Sequence, residues 1–297
     1  MAAPGTGRLD CRVVAGRVVT TAASAYPLKI MTPRAAQTGP SAGGPALHPV
    51  AAYLLTYGGG LVHGDTVTVH VCVEPQVALV LLTQGSTKVY RTRGQPAREE
   101  AAGQSVQTLE IGVAAGALVC VLPDPVTCFG DARYSQRQRV RLAAGASLVL
   151  LDWMTSGRMS RGERWCFARY FSVNAVCAEG GRLAIRDALL LDDPRALRDA
   201  DVDALAYLLA LGPAAAAIAD RFRREHRDAR IRPARTAAAT RPDVRWSVSE
   251  VDTCGVRGVA VRAAAASTAE LRAWLVGFLA PLQAAVGAAA WSMFANT

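Results

Sequence analysis

Residues 66–73, TVTVHVCV, set the reading of the fold. They place Val67, Val69, Val71 and Val73 on one face and Thr66, Thr68, His70 and Cys72 on the other, the period of two that a half-buried strand requires. The chain then turns at Glu74-Pro75 and rises again as ALVLLTQ. This unit of strand, small turn and strand returns as LEIGVAAGALVCVLP from Leu109 to Pro123 and as RVRLAAGASLVLLDW from Arg139 to Trp153. Three related copies predict stacked sheet layers, built from short hairpins or solenoid turns, each covering its neighbour's apolar face. RWCFARYFSVNAVCAEGGRLAIRDALLL adds two strands around Gly180-Gly181, so the first two thirds is expected to be all-β.

Upstream, YLLTYGGGLVHGD (residues 53–65) raises the question of a phosphate loop. A strand and not a helix follows these glycines, and no Lys-Ser or Lys-Thr sits at the required offset, so the helix amides that would hold an anion are missing. The expectation is a turn: Gly59 and Gly60, with Gly58, give positive φ and close backbone approach, and Gly64-Asp65 turns into the strand.

Helical signals come late. PAAAAIADRFRREHRD begins with Pro213 at a first-turn position. STAELRAWLVGFLAPLQAAV begins with Ser267 and Glu270 at capping-box spacing and carries Leu271, Trp274, Leu275, Phe278 and Leu279 along one stripe. LAYLLALG has no decisive period, and DVRWSVSEV and RGVAVRA read as a further strand pair. The result is a mainly β chain, a layered, β-helical-type stack of short strands with two α-helices in the C-terminal third. It is taken as one domain over residues 1–297, partly loop-like over 1–25 and 35–50.

With 297 residues, 51% of them hydrophobic, the chain can bury a large core. Its start lacks the pattern of a signal peptide, and no window of about 18 residues is expected to span a membrane, which points to a soluble, cytoplasmic protein. Seven scattered cysteines without a CxxC pair fit reduced thiols. His48, His63, His70 and His226 have no metal-ligand spacing, and no hydrolase elbow or HExxH is present, so neither structural zinc nor recognisable catalysis is expected. The net charge of +9 is carried almost wholly by arginine. Its densest block, Arg221 to Arg235, reads as a solvated helix face, with nucleic-acid binding or an acidic protein partner as alternatives.

Polar residues in otherwise apolar strands stand out: Thr83, Gln84, Ser86, Thr87, Lys88 and Tyr90 in TQGSTKVYR, Asp152 in LLDWM, and Arg158 with Glu163 in GRMSRGERW. Burying such groups costs several kcal/mol unless they are paired or hydrated, so they close internal ion pairs or line a wet passage. The succession YPLKIMTP, GGGLVHGD, LLTQGSTKVYR, VLPDP and DWMTSGRMSRGERW resembles the urease accessory protein family UreD, called UreH in some bacteria. The resemblance implies that LAYLLALG is a strand. It also implies a non-enzymatic maturation factor that binds urease apoprotein, joins UreF and the GTPase UreG, and supports nickel insertion, with a polar internal tunnel as the metal's route. Nickel would then be handled transiently, with no permanently bound cofactor, and oxygen ligands and water suit that better than a thiolate and imidazole cage. Asp65, Asp152 and Glu163 are the transit candidates, with Lys88 and Arg158 pairing them. A closed salt-bridge network, in a scaffold that bridges urease and UreF, is the competing expectation.

Overall fold

The structure is a computed structural model that describes residues 3–33, 47–91, 104–192, 194–231 and 244–296. The chain opens with β1 (Thr6–Val14), β2 (Arg17–Ser24) and β3 (Leu28–Met31), then β4 (His48–Thr56) and the two-residue β5 (Gly60–Leu61). It continues through β6 (Thr66–Val73), β7 (Val77–Thr83), β8 (Thr87–Val89), β9 (Ser105–Val113), β10 (Leu118–Val121) and β11 (Val126–Cys128). Next come β12 (Arg133–Leu142), β13 (Ser147–Thr155), β14 (Arg169–Cys177), β15 (Leu183–Leu191), the short α1 (Arg195–Asp199) and β16 (Ala204–Leu211). The last part holds α2 (Ala216–Ile231), β17 (Val244–Thr253), β18 (Val256–Ala265), α3 (Thr268–Leu279) and α4 (Gln283–Ala295).

Strands from successive turns alternate between two sheets. One sheet has seven strands in the order β15-β14-β12-β9-β6-β1-β2, and the other runs β17-β18-β16-β13-β10-β7-β4-β3 with β5, β8 and β11 as a side ladder. The central strands pair in parallel, β1, β6, β9, β12 and β14 in the first sheet and β4, β7, β10 and β13 in the second. The repeated unit is therefore a solenoid corner and not a hairpin: β6 and β7 lie in opposite sheets. The corners stack, with Gln76 N donating to Gly116 O and Gly116 N to Gly145 O, each at 3.3 Å. Hairpins close the ends of the stack at β1–β2, β14–β15 and β17–β18.

Apolar residues fill two layers. Leu9, Val69, Leu79, Ile111, Val140 and Leu150 are buried between the sheets. Val80, Leu82, Cys120, Leu151 and Trp153 are buried on the far side of the second sheet, beneath Phe222, Leu271, Leu275 and Leu279 of α2 and α3. That sheet is covered on both faces, which is why β13 is buried along all nine of its residues and shows no alternation.

Several expectations need correction. Of the stretch 1–25, expected to be partly loop-like, Thr6–Val14 and Arg17–Ser24 form the β1–β2 hairpin. The loop expected at 35–50 falls mostly outside the described residues, and its end already belongs to β4. LAYLLALG is the strand β16, and β17 and β18 form the foreseen pair. The helix expected after Ser267 runs on through a 3₁₀ turn at Ala280–Leu282 into α4, which is broken at Gly287 (φ 77°, ψ 158°). Residues 273–296 carry no charge, and Thr268–Ala295 is long and apolar enough to cross a membrane by length and composition. The expectation that no such window exists is overturned. Leu271, Leu275, Leu279, Leu282 and Val286 of this segment nevertheless pack into the layer over the second sheet.

Ser267 caps α3, its hydroxyl accepting from Glu270 N at 3.2 Å. The reciprocal half of the capping box is incomplete, because Glu270 Oε2 is buried without a partner. Ser267→Ala should therefore lower stability by about 1 kcal/mol, the loss of one cap bond, read as a shift in the denaturation midpoint of the purified chain.

Candidate functional site

The glycine-rich turn behaves as backbone chemistry predicts. Gly58, Gly59 and Gly64 have positive φ, and a Cβ on Gly60 would lie 2.4 Å from the Lys88 carbonyl oxygen. Asp65 Oδ2 accepts from Val62 N at 2.9 Å, so this carboxylate ties down the turn. Tyr90 donates from its hydroxyl to Gly58 O at 3.2 Å and sets its ring edge-on to Phe129. Lys88 and Gln84 are exposed, Ser86 is half-buried, and Lys88 is not paired with any of the three acids. Arg158 and Glu163 do pair with each other, Nε to Oε2 at 2.8 Å, and Gly130 N donates to the same oxygen at 3.0 Å. The Arg158 guanidinium, with a smaller contribution from the Gly130 amide, holds the Glu163 carboxyl below the ordinary carboxylate range. Arg158 also lies 3.9 Å over the Phe129 ring, so this pair closes the loop before β14. The transit candidates Asp65, Asp152 and Glu163 thus have separate sets of partners.

Asp152 is the one that points into the solenoid. It sits on β13 between the sheets, and four side chains of the opposite sheet donate to it: Ser172 Oγ at 2.6 Å, Asn174 Nδ2 at 2.7 Å, Gln136 Nε2 at 3.0 Å and Tyr170 OH at 3.4 Å. Gln138 Nε2 donates on to Asn174 Oδ1 at 2.9 Å, and Tyr134 OH to Gln136 Oε1 at 3.0 Å. Burial raises the Asp152 carboxyl above its ordinary value, and the four hydrogen bonds oppose that shift without cancelling it. The same burial raises the Tyr134 and Tyr170 hydroxyls well above theirs.

Space flanks this carboxylate on both sides. A small cavity of about 30 Å³ lies among Thr83, Thr87, Gln107, Gln136, Asp124 and Asp152, and it has room for a water-sized occupant. A larger cleft of about 470 Å³ opens beyond Asp152, walled by Tyr170, Asp187, Tyr207, Trp246 and Arg262. At the cavity end, Asp124 faces Arg272 of α3 at 3.3 Å and takes its place through a bond from its own amide to Thr83 Oγ1 at 2.8 Å. Burial raises the Asp124 carboxyl despite that arginine. At the cleft end, Asp187 pairs with the exposed guanidinium of Arg262, which also lies over the Tyr207 ring. Three carboxylates thus line consecutive spaces, Asp124, Asp152 and Asp187.

Sequence reasoning singled out Asp152 and missed its surroundings. Asp124 was visible in VLPDP at the end of an apolar run, and Asp187 interrupts LAIRDALLL. Gln136 and Gln138 gave no signal, because SQRQR of β12 is polar on both faces and reads as solvent-exposed, and Ser172 and Asn174 gave none because they hold the more polar face of β14, which pattern alone turns outward. The Arg221–Arg235 block is partly structural: Arg221 donates to Gly277 O at 2.5 Å, and Arg223 is held by Asp220 and Glu250, each at 2.8 Å. Its end lies outside the described residues. Among the described residues, no group of three or more His, Cys, Asp or Glu is arranged to hold a metal ion.

Comparison with known proteins shows the family. The family model described as UreD urease accessory protein matches residues 3–294. The chain is 34% identical over 306 residues to a urease accessory protein D of Oryza sativa subsp. indica, covering 97% of this chain and 95% of the relative. It is 38% identical over 213 residues to urease accessory protein D of Arabidopsis thaliana, with 70% and 68% of the two chains covered. It is 43% identical over 222 residues to UreD of Sorangium cellulosum, with 73% and 64% covered. The chain belongs to the UreD family of urease accessory proteins, and its role lies in urease maturation.

Proposed function

We propose that the chain is a non-catalytic maturation factor that holds urease apoprotein together with UreF and the GTPase UreG, and that nickel crosses its interior on the way to the urease active site. The observation that carries this reading is the polar interior at Asp152, set between two spaces in a solenoid whose core is otherwise apolar. A divalent cation entering such an interior loses hydration that carboxylates and waters must replace. Asp124, Asp152 and Asp187 would supply the charge, and Gln136, Gln138, Ser172 and Asn174 would supply neutral oxygens and hold the carboxylate in place. Oxygen donors bind nickel weakly enough for it to move on, which a transit path needs and a storage site does not.

A second reading, a scaffold without a passage, draws support from the completeness of the Asp152 hydrogen bonding: four side-chain donors satisfy the carboxylate. Both readings predict that the purified chain forms a complex with UreF, UreG and urease apoprotein, and that omitting it abolishes nickel-dependent activation of urease in a reconstituted mixture. Full activation without the chain, or no complex by size-exclusion chromatography, would refute both.

A further inference from the structure

The two sheets differ on their outer sides. Helices α2, α3 and α4 cover the second sheet, whereas β12 in the middle of the first sheet exposes Arg137, Arg139 and Arg141 to solvent. Register fixes what stands beside each arginine. Arg137 lies between Thr108 of β9 and Val173 of β14, Arg139 between Glu110 and Ala175, and Arg141 between Gly112 and Cys177. Only Arg139 has an acidic neighbour, and Glu110 is engaged by His70 Nδ1 at 3.2 Å. Among the described residues, none of the three arginines is ion-paired. Alternate residues of a strand rise about 6.6 Å apart, so the three arginines leave the backbone as an evenly spaced row along β12. Next to it on the same face, the half-buried Phe171 and Val173 of β14 and Leu190 of β15, 46% exposed and opposite Phe171, make an apolar flank.

We propose that this open face of the seven-stranded sheet is the docking surface for an acidic surface patch of a protein partner. Unpaired arginines held in a row beside an apolar flank match the composition of protein interfaces, where arginine is enriched and an apolar centre is rimmed by charge. The face is of mixed sign: Glu110, beside His70, lies in the row of Arg139, and Asp10 of β1, paired with Arg8 at 2.7 Å, lies in the row of Arg141. These carboxylates interrupt the positive charge that a continuous phosphate backbone would follow and give register to a partner of patterned charge. Among the described residues, Phe171 is the only phenylalanine, tyrosine or tryptophan on this part of the face, too few for stacking of successive bases.

This inference deepens the proposed function by naming the surface used, and it rests on that reading only in drawing the partner from the urease system. The test measures dissociation constants of the full chain for UreF with UreG, and separately for urease apoprotein, at low and high salt. Duplex DNA and phosphatidylserine vesicles are further probes. The triple variant R137Q/R139Q/R141Q should weaken one of the protein complexes by about tenfold or more and flatten its salt dependence. The lysine triple, R137K/R139K/R141K, should keep that salt dependence, and Leu190→Ser should weaken the same complex with the salt slope unchanged. All three should melt with the parent. A glutamine triple that binds both proteins as the parent does, or loses only DNA or vesicle binding, overturns the docking face. An unmodified chain that binds neither protein overturns the proposed function itself.

Discussion

Asp152→Asn should lower nickel-dependent urease activation, per mole of assembled complex, by at least about tenfold, the effect of some 1.4 kcal/mol on a transfer barrier. The substitution removes charge and leaves volume. The surrounding amides and hydroxyls, Gln136, Gln138, Ser172 and Asn174, can reorient to satisfy an asparagine, so the fold has no donor left stranded. A cation in transit, by contrast, loses the one carboxylate that, among the described residues, lines both the small cavity and the cleft.

The same variant should be at least as stable as the parent at neutral pH. Burial holds the Asp152 carboxyl above its ordinary value, so the folded chain binds that proton more tightly than the unfolded chain. Its contribution to stability is complete below the unfolded pKa, about 4, and declines as the pH rises through that value towards the folded one. An asparagine has no proton to lose. The difference in melting temperature should therefore favour the variant at pH 7 and disappear below about pH 4. A residue that costs stability and is needed for activity is the signature of a functional group. Normal activation per mole of complex would leave Asp152 as part of a closed structural network, and the scaffold reading would stand.

The sequence revealed the strands better than their connections. The alternation in β6 and the cap at Ser267 are local, so both could be read from a few residues. A corner between sheets and a hairpin within one sheet use the same turn residues. What separates them is the pairing partner, and β7 pairs with β10 some forty residues on, a long-range choice that leaves no local mark. The N-terminal hairpin was hidden for a similar reason: β2 is exposed along most of its length and lacks an apolar face to announce it. At the site, Asp152 was conspicuous because a charge interrupts a run that is apolar on both faces. Its hydrogen-bond donors were not, since SQRQR in β12 puts glutamines inside and arginines outside, and polarity alone does not say which face is buried.

Phe222→Ala should cost about 3–5 kcal/mol in the denaturation free energy of the isolated chain, the range for truncating an aromatic in a packed core. Phe222 of α2 is fully buried, stacks on Phe278 of α3 at 4.4 Å and meets Trp246 of β17 at 5.8 Å and Trp274 of α3 at 5.7 Å. One ring therefore joins both helices to the second sheet. Trp274, also on the apolar stripe of α3, is only half-buried at the rim of this cluster, so Trp274→Ala should cost less, on the order of 1–2 kcal/mol. The reverse order, or a neutral Phe222→Ala, would mean that the cluster gains its stability from a partner and not from the chain itself. Trp246 also walls the cleft beyond Asp152, so loosening the cluster disturbs the proposed path indirectly. Activation should then fall in proportion to the folded complex recovered, whereas Asp152→Asn should depress it while the complex remains fully folded, and measuring both variants side by side separates loss of the fold from loss of the passage.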